Sequence, residues 1–162
     1  MLFHVSVEAD DPKGVAEALA QIMGGEAFPF PPVGTGSWVA LAGDEFGSLI
    51  EVYARGTELH PGKDGAVGVQ SAPRRYGATH FAMGTPLSGG QVMAIAEFMG
   101  WTANYCRRAD RFGLIEVWID DCLMIEVLTK SMQREYLETV SLEGWRRMLA
   151  EGPTASSLAA AA

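Results

Sequence analysis

Long apolar runs are missing from this chain, and so is most of the chemistry that proteins build from cysteine and histidine. No stretch of 18 apolar residues occurs among its 162 residues, so no helical membrane span is expected. There are only two cysteines, Cys106 and Cys122, 16 residues apart and in no Cys-x-x-Cys pattern. That excludes a disulfide framework, and the two read as reduced thiols in strands. Positive charge is scarce too: 12 Lys and Arg stand against 20 Asp and Glu, a net charge of −8. Such a balance argues against nucleic acid or an anionic membrane as partner. Basic residues cluster only as Arg74-Arg75, Arg107-Arg108 and Arg146-Arg147. No charged leader followed by an apolar stretch opens the sequence, and the expected location is the cytoplasm. Hydrophobic residues make up 48 %, enough for a core in one domain or in two closely packed halves.

The few histidines are placed with a pattern. His4 and Glu51 recur as His80 and Glu126, with separations of 47 and 46 residues. Met23-Gly24-Gly25-Glu26-Ala27 matches Met99-Gly100-Trp101-Thr102-Ala103 at an offset of 76, and Leu49-Ile50-Glu51-Val52 matches Met124-Ile125-Glu126-Val127 at an offset of 75. One small unit has been duplicated, and a period this long is not that of a solenoid. His60, the third histidine, precedes Pro61 and reads as a solvated loop residue.

Each copy reads as β-α-β-β-β. Residues 2–8 alternate, with His4, Ser6 and Glu8 on one face and Phe3, Val5 and Val7 on the other. Asp11-Pro12 starts a helix and Gly24-Gly25 stops it. Short strands follow over 26–30, 37–42 and 48–54, with Pro29, Pro31 and Pro32 marking an edge. Residues 55–77 hold five glycines without periodicity and read as a linker. In the second copy, 79–84 is a strand, Ser88 caps a helix over 89–99, and 102–107, 114–119 and 123–129 are strands, the last two joined by Asp120-Asp121. An amphipathic helix is expected over about 134–150, then an Ala-rich tail. The expected organisation is a first module over 2–54, the linker, a second module over 78–129, and a C-terminal helix and tail over 130–162.

Strand alternation directs His4 and Glu51, and likewise His80 and Glu126, to the sheet face away from each module's helix. One such pair alone is more simply a buried hydrogen-bonded His–Glu pair. Two pairs related by a repeat favour a single divalent-metal site, with imidazole and carboxylate ligands and two carboxylates cancelling the ion's charge. Glu116, Trp118 and Tyr53 are candidates for the surroundings of that site. Arg55, Arg107 and Arg108 are candidate contacts for a substrate carboxylate, or are simply solvated.

The duplicated β-α-β-β-β unit resembles the vicinal oxygen chelate superfamily, and the set His4, Glu51, His80 and Glu126 resembles the metal ligands of glyoxalase I. Asp44-Glu45-Phe46-Gly47-Ser48-Leu49-Ile50-Glu51 is similar to that family's D-P-x-G-x-x-x-E turn, with Glu45 in place of proline. Asp120-Asp121-Cys122-Leu123-Met124-Ile125-Glu126 lacks the glycine. The resemblance implies an α+β fold in which tandem modules form half-barrel sheets around a cavity. It implies a divalent ion, zinc or nickel, with iron or manganese as alternatives. It implies a lyase or isomerase acting on a small substrate with two neighbouring oxygens through an enediolate-type intermediate, with Glu126 as base and Glu51 as second choice. The alternatives are an extradiol-type dioxygenase and a metal-free small-molecule-binding protein of the resistance type. A homodimer is expected, because neither half encloses a cavity alone. The set of ligands can close within one chain or across two.

Overall fold

The computed structural model describes residues 3–30, 36–63, 65–108 and 110–151. The first module runs β1 (His4–Ala9), α1 (Pro12–Met23), β2 (Glu26–Pro29), β3 (Trp38–Leu41) and β4 (Leu49–Ala54). Its strands form a sheet in the order β1-β4-β3-β2, with β1 parallel to β4 and the other pairs antiparallel. Asp11 caps α1 by accepting from the Gly14 amide at 3.1 Å. Gly24 ends the helix in the left-handed region at φ 79°. Pro29 lies on the edge strand, where a missing ladder donor is tolerated, while Pro31 and Pro32 fall outside the described residues.

The second module repeats this plan as β7 (Phe81–Gly84), α2 (Gly89–Met99), β8 (Thr102–Arg108), β9 (Phe112–Ile119) and β10 (Leu123–Leu128), in the order β7-β10-β9-β8. Ser88 and Gln91 cap α2 reciprocally. The turn from β9 to β10 places Asp120 and Asp121 at φ 51°. Each aspartate offsets that strain with its carboxylate. Asp121 Oδ1 accepts from the Thr102 amide at 3.1 Å, and Asp120 Oδ2 accepts from the Asp10 amide at 2.7 Å.

One apolar core joins the two modules. Leu19 and Ile22 of α1, Val92 and Ala96 of α2, Val7, Ile50 and Val52 of the first sheet and Ile115, Val117, Ile125 and Val127 of the second all belong to it. Truncating a side chain as completely buried as Leu19 to alanine costs about 2–5 kcal/mol. The modules meet helix to helix, α1 against α2, and Thr85 Oγ1 donates to the Ile22 carbonyl at 2.5 Å across the buried seam. The other face of each sheet therefore points away from this core, as an open half-barrel.

Two segments differ from the sequence-based expectation. The linker carries a β-hairpin, β5 (Thr57–Gly62) with β6 (Gly65–Gln70). Its alternation is limited to Leu59, Val67 and Val69, all exposed, and short glycine-rich strands leave little periodicity to read. The C-terminal helix is two helices, α3 (Lys130–Thr139) and α4 (Leu142–Glu151). Ser141 breaks it by capping α4, its Oγ accepting from the Gly144 amide at 3.0 Å. The tail beyond Glu151 lies outside the described residues.

Candidate metal centre

Glu51 is delivered by a turn built for the purpose. Asp44 Oδ1 accepts from the Phe46 and Ser48 amides at 3.1 and 3.0 Å, and Gly47 takes φ 66°. These amide bonds, led by Ser48, hold the Asp44 carboxyl below its ordinary value. β4 then presents Glu51 directly opposite Ser6 on β1. Ser6 Oγ donates to Glu51 Oε2 at 2.7 Å, and Tyr53 Oη donates to the same oxygen at 2.8 Å. Burial, then the bond to Glu51, pushes the Tyr53 phenol up to about 12, so it remains a donor. Among the described residues, Glu51 Oε1 accepts no hydrogen bond. His4 stands on the same face, two positions before Ser6, and is exposed.

The second module places its pair in the same register. Glu126 lies opposite Ala82, and His80 stands two positions before Ala82. His80 just precedes β7, outside the strand expected for it. Its Nδ1 lies 3.0 Å from the Ala78 carbonyl, which can only accept. Nδ1 therefore donates in this contact, which leaves Nε2 as the ring nitrogen turned away from the Ala78 carbonyl. This is the way a ligating imidazole is commonly oriented.

The two glutamates have unlike neighbours. Ser6 and Tyr53 have Ala82 and Leu128 as counterparts, so no hydroxyl reaches Glu126 from those positions. Val39, opposite Glu51, has Glu116 as its counterpart, opposite Glu126. Two carboxylates facing each other across a ladder repel. Arg108 bridges them, Nη2 donating to Glu116 Oε1 at 2.5 Å and to Glu126 Oε1 at 2.8 Å. The bond to Glu126, opposed by burial and aided by Glu116, holds this guanidinium above its ordinary value. The Cys106 thiol is pushed up by burial and then by the charge of Glu116, so it is not an activated thiolate.

Within the chain the two pairs stay apart. Among the described residues, no three His, Cys, Asp or Glu side chains converge as a group able to hold an ion. Tyr53 and Glu116 take the neighbouring positions expected of them. Ser6 and the clamp made by Arg108 were not legible, although the facing of Ser6 with His4 was a signal for the first. The other candidate arginines are engaged. Arg55 donates to Asp10 and, at 2.5 Å, to Asp120, which ties the modules together. Arg107 bonds Glu135 at 3.3 Å and the Asp110 carbonyl at 3.1 Å. A cavity of about 470 Å³ adjoins this centre. Ser6 and Tyr53 line it, as do Ala78 and Thr79, just before His80.

Comparison with solved structures places this architecture. A fosfomycin resistance protein, FosX, from Listeria monocytogenes superposes with a TM-score of 0.54 at 12 % identity, covering 83 % of this chain and 97 % of that one. A lactoylglutathione lyase from Agrobacterium tumefaciens gives 0.53 at 14 %, with 81 % and 94 % covered. The chain has the vicinal oxygen chelate fold. A trypanothione-dependent glyoxalase I from Leishmania major with that fold gives 0.50 at 16 %, with 94 % and 97 % covered. A variant of the Listeria protein, solved with Mn(II) and 1S,2S-dihydroxypropylphosphonic acid, gives 0.50 at 14 %, with 91 % and 98 % covered. No protein-family model matches the sequence, and no curated protein sequence matches it.

Proposed function

We propose that this protein is a metal-dependent lyase or isomerase of the glyoxalase type, working as a homodimer. Its metal centre is completed across two chains, by His4 and Glu51 of one protomer with the partner's His80 and the partner's Glu126. The observation that carries this reading is the matched register of the two His/Glu pairs on the open faces of both sheets, facing away from the shared core. The donor set fits a divalent ion. His80 Nε2 and Glu51 Oε1 make no hydrogen bond among the described residues, and two carboxylates balance the charge. Neighbouring solved structures of this fold include one holding Mn(II), one named glyoxalase I and one named lactoylglutathione lyase, which supports the same reading.

When bound, the ion would supply Lewis acidity toward two neighbouring oxygens of a small substrate. The chain's own residues divide the remaining work. Ser6 and Tyr53 fix the Glu51 carboxylate by its Oε2, so Glu51 is the stationary ligand. Glu126 has a second partner in Arg108, to which its carboxylate can return. It is therefore the carboxylate suited to move a proton between neighbouring carbons.

The test is metal content together with turnover of the methylglyoxal–glutathione hemithioacetal. Chelation should abolish turnover and a divalent ion should restore it. Iron with ring opening of a catechol would point to the dioxygenase instead. Tight ligand binding by a protein that takes up no metal would point to the resistance-type binder.

A further inference from the structure

The cavity beside Glu51 is chemically lopsided, and its lopsidedness is not explained by a metal centre. The chain is acidic overall, yet three arginines line this one cavity: Arg55, Arg74 and Arg75. Arg55 is consumed by Asp10 and Asp120. Arg75 reaches the Asp120 carbonyl at 3.1 Å and Asp10 at 3.7 Å. Arg74 makes no direct hydrogen bond or ion pair among the described residues, and its charge acts at longer range on the Glu58 carboxylate. Glu8, the lining acid, already accepts from the Gly56 amide at 2.6 Å. A guanidinium without a direct hydrogen-bond partner among the described residues is thus left on the wall of a cavity whose volume of about 470 Å³ suits a small organic molecule.

The rest of the wall supplies the complement. Leu59 of β5 and Leu123 at the start of β10 are apolar, while Ser6 and Tyr53 place hydroxyls at the end nearest Glu51. A ligand that matches all three features has an acid group at Arg74, a short apolar body along Leu59 and Leu123, and oxygen functions toward Glu51. The arginine fork matches a planar carboxylate in two parallel hydrogen bonds.

We propose that this cavity is a binding site for small organic acids, with Arg74 as the carboxylate contact, and that the substrate of the adjoining centre is a carboxylic acid. The second clause rests on the function proposed above. The binding itself does not. The linker thereby acquires a role: Arg74 comes from the segment joining the hairpin to β7, outside both modules.

The experiment titrates chelator-treated, full-length protein with benzoate and, in parallel, with benzamide, its uncharged counterpart of the same shape. Benzoate should bind about tenfold or more tightly than benzamide, the scale of a charge-assisted hydrogen bond converted to affinity. Arg74→Met should weaken benzoate by a similar factor and leave benzamide unchanged, and Arg74→Lys should recover part of the loss. Equal binding of the two probes, no benzoate binding, or indifference to Arg74→Met would each overturn the proposal. If benzoate binds as expected while no metal is taken up, the carboxylate site stands and the metal-dependent function falls.

Discussion

Removing the guanidinium of Arg108 tests the candidate centre where its two halves differ most. In Arg108→Met the side-chain stem is kept and the bridge between Glu116 and Glu126 is lost. Two effects oppose each other. The fold loses two charge-assisted hydrogen bonds, and Glu116 and Glu126 are left facing each other directly. Such bonds contribute about 1.5–3 kcal/mol where they are shielded, but Arg108 is 40 % exposed, and screening brings the expected destabilisation to about 1–2 kcal/mol. Metal binding moves the other way. In the native protein an incoming ion must take Glu126 from Arg108 and tolerate a nearby positive charge. Releasing Glu126 should therefore tighten binding of a divalent ion by about tenfold, the equivalent of about 1.4 kcal/mol. Competition against a fluorescent chelator measures the affinity, and urea denaturation of the metal-free protein measures the stability. If the variant binds metal no more tightly than the native protein, Arg108 does not compete for Glu126, and the assignment of Glu126 as a ligand is refuted.

Glu126→Gln should remain folded and metal-loaded while losing about 10²–10⁴-fold in turnover, because an amide oxygen can ligate but cannot accept the proton; equal metal loss in Glu126→Gln and His80→Ala, read by metal analysis, would leave Glu126 a structural ligand only. The Tyr53 phenol should ionise near pH 12, after the ordinary tyrosines near 10, so a late absorbance step at 295 nm should vanish in Tyr53→Phe. Since its pKa is higher folded than unfolded, folding stability should be unaffected by this group below pH 10 and fall as pH rises from 10 to 12, a slope that Tyr53→Phe should flatten. Sedimentation at micromolar concentration should give twice 17.4 kDa, and a monomer mass would remove the second half of the proposed centre.

The fold was legible because its punctuation is local. Asp11-Pro12 and Gly24, then Ser88 and Gly100, bracket the two helices by capping chemistry that needs no tertiary partner. Period-two alternation in β1 and β4 likewise determined which face carries His4 and Glu51. What stayed hidden depends on contacts between distant segments. Nothing near Arg108 in sequence indicates that Glu126, 18 residues on, shares its guanidinium with Glu116. Arg55 looked available until Asp10 and Asp120 were brought to it by the packing of the modules. The hairpin in the linker was obscured for a different reason, since short exposed strands rich in glycine carry no burial signal. The break at Ser141 was readable as a cap, but the apolar residues on both sides of it continue the helical spacing and masked it.

The claim that the centre is shared between chains has a direct test in mixed dimers. His4→Ala and His80→Ala proteins should each bind metal weakly, since every site in either homodimer lacks one imidazole. After unfolding and refolding together, the mixed dimer contains one site with both mutations and one with none. Metal titration of the purified mixed dimer should therefore recover one tight ion per dimer, at native affinity. If the mixed dimer binds no better than its parents, the four residues do not meet across two chains, and the proposed centre is wrong.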